Sequence, residues 1–351
     1  MQNAGEEIFE PVLSPEPPRP AFACATSHAA TAVARYLRSC ADYIREAFTP
    51  AAPHAHAGRE AGADDIIAVL LEREFNYKSK SWAACLLPGV RGTIAAQMAK
   101  HLPLQIFFDY GGGYHATTRP DFSAPLGFDA TATELLLLYQ IARLERRITS
   151  LYPPGLVFHI VLDNGVAHYV NDIPLAQTEG YARQFEALLT QLGAADCVRI
   201  LLQSRLDDFC ARLHGTKLRP VEQIEPAAHH NIERFLGRRC TDEEARLRTA
   251  RYSAAEMVWE GDLRQHIAAV NGIRFLQRES AEYLPFRPFP GGAIRAQSGQ
   301  IGFKIAGEKI TPTLVTTTLF QKTRVSEIPL HWPSIVGLAQ QAAPRPAMAL
   351  G

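Results

Sequence analysis

From residue 102 to residue 165 the chain alternates apolar blocks with polar breaks in an order that predicts a single βαβ unit. Leu104-Gln105-Ile106-Phe107-Phe108 is a short apolar run with β character, and it enters Asp109-Tyr110-Gly111-Gly112-Gly113-Tyr114-His115. Residues 134–150 then carry Leu135, Leu138, Ile141, Ala142 and Ile148 at three- and four-residue steps, with Arg143, Glu145 and Arg146 on the opposite face. That period predicts an amphipathic helix, which Thr131 or Thr133 can cap. Pro153-Pro154-Gly155 stops it. A second apolar run, 156–162, follows and ends in Asp163-Asn164-Gly165. Two strands joined by one helix pair in parallel, and in such sheets ligands bind beyond the carboxyl ends of the strands. Asp109 and Asp163 therefore fall at one mouth. If the two strands are neighbours, a shared site raises the pKa of one carboxylate and creates a base near neutrality.

The same periodicities extend to the rest of the chain. Helices are predicted over 26–48, 63–75, 93–101 and 174–192, with 49–63 as a loop. Gly193 ends the last of these helices, and 197–202 is a third short strand. The repeated strand–helix–strand order supports an α/β fold with a mostly parallel sheet and flanking helices. From 206 to 277 the pattern turns helical and more polar, with Thr241-Asp242-Glu243-Glu244 as a helix start. β-Branched residues in 293–305 and 311–320, around a turn at 307–309, predict a C-terminal β-hairpin. We expect a disordered leader at 1–22, a single α/β catalytic domain at 23–340 with a helical cap at 206–280, and a disordered tail at 341–351.

Composition narrows the classes of function. With 36 basic and 36 acidic residues among 351, the chain has no broad electrostatic footprint for nucleic acid or anionic membrane. No apolar run approaches the roughly 20 residues of a membrane-spanning helix. Six scattered cysteines without a Cys-x-x-Cys argue against zinc and against a disulfide framework, and fit a reducing cytoplasm.

Several residues carry candidate chemistry. Gly111, Gly112 and Gly113 follow a strand, as an anion-cradling loop does, though a turn needing positive φ reads equally well. Tyr114, His115, Arg119 and Asp121 lie on the loop behind them; a histidine there can act as a base and an arginine as an anion clamp, against a plain solvated loop. Asp163-Asn164-Gly165 can also be a simple turn. A proline- and glycine-rich stretch at 286–299 holds Arg287, Arg295, Gln297 and Ser298, and Lys304 follows. Guanidinium groups there suit a phosphate or carboxylate, against an arginine-bearing surface loop. His159 reads as an interior histidine. His229-His230 lacks a third ligand at sensible spacing, so no metal is expected.

The order Pro120-Asp121, Leu-rich helix, Leu151-Tyr152-Pro153-Pro154-Gly155, strand, Asp163-Asn164-Gly165 resembles the isocyanide (isonitrile) synthases of the pyoverdine/dityrosine biosynthesis family. Ala293-Ile294-Arg295, Gly302-Phe303-Lys304-Ile305 and Thr311-Pro312 look like that family's C-terminal strands. The chain is a divergent relative: Asp109 to Tyr114 replaces a Lys-Ser-Pro-Asn-type loop, and Arg295 to Ser298 replaces a Ser-Ile-His-Pro segment. The resemblance implies a Rossmann-like fold and an enzyme of secondary metabolism. That enzyme condenses an amino-acid α-amine with ribulose 5-phosphate as co-substrate, without metal or redox cofactor. A downstream iron/2-oxoglutarate oxygenase or peptide synthetase is an implied pathway partner. For such chemistry Asp109, His115 and Asp163 are candidate proton shuttles. Gly111 to Gly113, Tyr114, Arg119, Asn164, Arg287, Arg295, Gln297, Ser298 and Lys304 are candidate substrate contacts. A nucleotide- or S-adenosylmethionine-dependent transferase, or a non-catalytic binding protein on the same fold, remains as an alternative.

Overall fold

The computed structural model describes residues 27–49, 61–76, 86–110, 132–206, 208–236, 238–276, 283–291, 301–306 and 309–314. The described helices are α1 (Ser27–Phe48), α2 (Ala63–Leu70), α3 (Leu87–Met98), α4 (Ala132–Thr149), α5 (Asn164–Asn171), α6 (Leu175–Gln191), α7 (Phe209–Gly215), α8 (Pro226–Leu236) and α9 (Asp242–Ala269). Five parallel strands form one sheet: β1 (Leu104–Tyr110), β2 (Leu156–Leu162), β3 (Val198–Leu202), β4 (Ile273–Leu276) and β5 (Leu284–Pro285), in the order β3-β2-β1-β4-β5. Two further strands, β6 (Ile301–Ala306) and β7 (Lys309–Leu314), make an antiparallel hairpin. The expected α/β architecture with a parallel sheet, flanking helices and a C-terminal hairpin is therefore present.

All seven residues of β2 are buried, as expected for a parallel strand covered on both faces. Because side chains alternate along a strand, Leu104, Ile106, Phe108 and Tyr110 share one face with Phe158, Ile160 and Phe275. They pack there against Leu37 and Ile44 of α1, Leu138 and Ile141 of α4, and Phe185 and Leu188 of α6. Phe107 and Val161 point to the other face and meet Val166 and Val170 of α5, Phe209 and Leu213 of α7, and Trp259 and Leu263 of α9. The second face also holds Asp109, His159 and Arg274.

One alternative is set aside and three sequence expectations are corrected. Asp163-Asn164-Gly165 is no hairpin turn: β2 runs straight into α5, which begins at Asn164. The segment 206–280 contributes more than helices, because β4 lies within it and pairs with β1 next to the middle of the sheet. The third helix begins at Leu87, ahead of the expected 93, because Pro88 fits a first helical turn that needs no amide donor. Glu145 does not face water; its carboxylate accepts the amide of Leu156 at 3.0 Å and the hydroxyl of Thr149 at 2.9 Å. It does so because the chain folds back at Gly155 (φ 66°), whose missing side chain lets that turn settle on the carboxylate.

Candidate functional site

β1 continues through Asp109 and Tyr110, so the first carboxylate stands on the strand rather than in the turn after it. From β1 the chain builds outward through β2 to β3, then returns to the other side of β1 with β4. The sheet order thus reverses between β1 and β4, and a crevice opens at the carboxyl ends of strands at such a switch point. Pairing of Phe107 with Arg274 sets the register, so Asp109 and Arg274 project from adjacent strands to the same face.

There they form the densest charge network of the described sheet. Arg274, with its side chain only 4 % exposed, donates to Asp109 at 2.5 Å and 3.3 Å and to Glu260 of α9 at 2.7 Å and 2.9 Å. Its guanidinium also lies 4.4 Å from the ring centre of Tyr283, whose hydroxyl donates to Glu260. A fork that meets two carboxylates and stacks on a ring is a geometry lysine cannot reproduce. Burial works against the charge of Glu260, but hydrogen bonds from Tyr283, Arg274 and Arg264 prevail and hold its pKa down at about 2. Burial opposes the charge of Arg274 as well, and Asp109 and Glu260 outweigh it, raising its pKa. For Asp109 burial prevails over the Arg274 contact, and Glu260 and Asp163 add repulsion, so its pKa is raised.

A cavity of about 860 Å³ opens over this network. Asp109, Tyr110, Asp163 and Arg274 form its floor with Gln203, and Tyr252, Ser253, Glu256, Trp259 and Glu260 of α9 form a wall, with Arg219 at the exposed side. Gln203 is buried; its side-chain carbonyl accepts the amide of Val166 at 3.0 Å, and its amide nitrogen has no partner among the described residues. That leaves a hydrogen-bond donor beside the cavity for an oxygen of a bound molecule. Tyr110 donates to Glu134, which Tyr181 also bonds, so the end of β1 is fixed to the start of α4.

The structure thus brings Asp109 and Asp163 to one cavity. Asn164 lies beneath it rather than in it: the side chain is fully buried and bonds Ser204 through both its amide nitrogen (2.8 Å) and its oxygen (3.0 Å). Asn164 holds α5 to the turn after β3. Arg287 is half-buried near Arg73 and does not line the cavity; its backbone amide bonds the Phe75 carbonyl at 2.7 Å. Gly111, Gly112, Gly113, Tyr114, His115, Arg119, Arg295, Gln297 and Ser298 lie outside the described residues, and of Lys304 only the backbone, in β6, is described. His159 is the expected interior histidine: it bonds Gln105 at 2.9 Å, stacks on Phe107, and burial lowers its pKa to about 4. Sequence reading missed Arg274, Glu260, Tyr283 and Gln203. The one available signal was a single arginine inside the apolar run Ile273-Arg274-Phe275-Leu276.

A five-stranded parallel sheet with a cavity at its switch point defines a Rossmann-like α/β protein with its cavity where such folds hold ligands. No protein-family model matches the sequence, and no curated protein matches it either. A solved structure does: the crystal structure of the PvcA protein from Pseudomonas aeruginosa is similar with a TM-score of 0.56, at 15 % identity, over 76 % of this chain and 99 % of that one. At this identity the likeness establishes a shared fold. Among the described residues no helix is long and apolar enough to cross a membrane.

Proposed function

We propose that this chain is an isonitrile-synthase-like enzyme that condenses an amino-acid α-amine with the ketone of ribulose 5-phosphate. The observation that carries the reading is the cavity at the β1/β4 switch point, with Asp109 and Asp163 together on its floor. Its size falls within the several hundred cubic ångströms typical of small-molecule sites. Imine formation and the later carbon–carbon cleavage need proton transfer at the amine and at the sugar hydroxyls. Asp109, its pKa raised chiefly by burial, is placed to take up such a proton, and Asp163 is the second carboxylate within the same cavity. Arg274 keeps Asp109 oriented, while Arg219 offers a cation to the phosphate or carboxylate of a substrate. The fold shared with PvcA supports the resemblance seen in the sequence. In this reading the reaction needs no metal or redox cofactor, and an oxygenase or peptide synthetase uses the product.

The test is mass spectrometry of the purified chain incubated with pooled amino acids and ribulose 5-phosphate labelled with carbon-13 at C2. The expected product keeps the nitrogen of one amino acid and gains one labelled carbon, and Asp109→Asn abolishes it in a folded protein. Absence of product, together with no thermal stabilisation by the sugar phosphate, would refute the assignment. Stabilisation by S-adenosylmethionine or a nucleotide instead would make the chain a different transferase.

A further inference from the structure

Away from the cavity, at the junction of α8 and α9, one group of metal-type ligands comes together among the described residues: His229, Glu233 and Cys240. His229 and Glu233 are four positions apart, so they share one face of α8. Cys240 stands just before Thr241, the residue that caps α9, and its backbone amide bonds the Glu233 carboxylate at 3.3 Å. The three donor atoms lie within 4.8 Å of one another, and His229 Nδ1 is 3.8 Å from a Glu233 oxygen. A tetrahedral zinc with ligand bonds of about 2.0–2.3 Å holds its donor atoms roughly 3.3–3.8 Å apart. The His229–Glu233 pair, at 3.8 Å, is a few tenths of an ångström wider than a nitrogen–oxygen pair on zinc, and rotamer adjustments of up to about 1 Å bring the set to that spacing.

The surroundings fit a cation. The other ring nitrogen of His229, Nε2, is buried without a hydrogen bond among the described residues and lies 3.3 Å from the Asp242 carboxylate. A histidine that binds a metal through one nitrogen commonly directs the other to a carboxylate, which fixes its tautomer. Glu244 is nearby but engaged, receiving both terminal nitrogens of Arg238 at 2.7 Å and 3.0 Å. A bound zinc itself deprotonates a coordinating thiol.

We propose that His229, Glu233 and Cys240 bind a zinc ion that staples α8 to the start of α9, with Asp242 as the carboxylate partner of His229. The mixed nitrogen, sulfur and oxygen set is one that zinc accepts. Its role is structural. Ser253 and Glu260, on the cavity wall, lie at least ten residues further along α9, about 15 Å or more at the helical rise. Through α9 the ion would stiffen the helix that forms the cavity wall.

The experiment is metal analysis of untagged protein purified without chelator, followed by zinc titration of the chelator-stripped protein read by thermal shift and by cobalt absorption. About one zinc per chain is expected, with a higher Tm on adding zinc and a thiolate-to-cobalt charge-transfer band. His229→Ala and Cys240→Ser are expected to lose the metal and the band, whereas Cys210→Ser keeps both. Far-UV circular dichroism verifies the fold of each variant. Absence of metal together with no response to zinc overturns the proposal, and so does zinc retained by both His229→Ala and Cys240→Ser. Neither result depends on the reaction proposed for the cavity.

Discussion

Glu145 makes this protein's stability depend on pH in a way that can be isolated. The residue is 7 % exposed, and burial, outweighing its bonds from Thr149 and the Leu156 amide, raises its pKa from 4.5 to about 7. In the unfolded chain the group ionises near 4.5, so between the two values the native state holds a proton that the unfolded state has released. Stability then falls as pH rises. A difference of about 2.5 pKa units corresponds to about 3 kcal/mol in all, at roughly 1.36 kcal/mol per unit, and about 2.5 kcal/mol of it is lost between pH 5 and pH 8. Glu145→Gln cannot ionise, and its amide oxygen can still accept the Leu156 amide while its nitrogen donates to Thr149. Urea denaturation of both proteins across this pH range gives the difference in unfolding free energy, in which the contributions of all other groups cancel. The variant should gain on the wild type by about 2.5 kcal/mol between pH 5 and pH 8. A difference that stays constant with pH would refute the reasoning, because it would mean that Glu145 titrates alike in the folded and unfolded chains.

Arg274→Met strands Asp109 and Glu260 without their shared cation. Breaking such a buried arrangement costs about 3 kcal/mol, at the low end of the usual range because both carboxylates keep partial exposure. The loss should shrink as pH falls, since the orphaned carboxylates take up protons, and urea titrations at neutral and acidic pH will show this. Gly165→Ala places a Cβ 2.5 Å from the Phe209 ring where α5 meets α7. Overpacking of this kind typically costs about 1–3 kcal/mol and is read as a lowered Tm.

The βαβ unit was legible because β1 and β2 are apolar throughout and a proline-terminated amphipathic helix separates them; those patterns arise from burial on both faces. β4 was not, because Ile273-Arg274-Phe275-Leu276 is too short to show a period and its arginine reads as polar interruption until the register with β1 supplies Asp109. Glu145 falls on the polar side of a helical wheel, and only the turn at Gly155 buries it. Glu233 lies four positions from His229 on the same helix, but Cys240 joins the pair only when α8 ends and the chain turns toward α9. In each case the missing information was a contact between segments distant in space or order, which local periodicity does not encode.

The Asp109–Arg274 pair joins positions 165 residues apart, and β1 sits between β2 and β4 in the sheet. During synthesis the β1–β2–β3 part can pair first, but the edge of β1 that belongs to β4 stays open until residue 276 has emerged. At roughly 5–20 residues per second that interval is about 10–30 s. An open apolar strand edge recruits other chains, so the step that completes the ion network also closes that edge of the nascent protein. The same long-range closure makes folding slow for a chain of this size. A chain truncated before β4 would lack Arg274 on the cavity floor and the protection of its central strand.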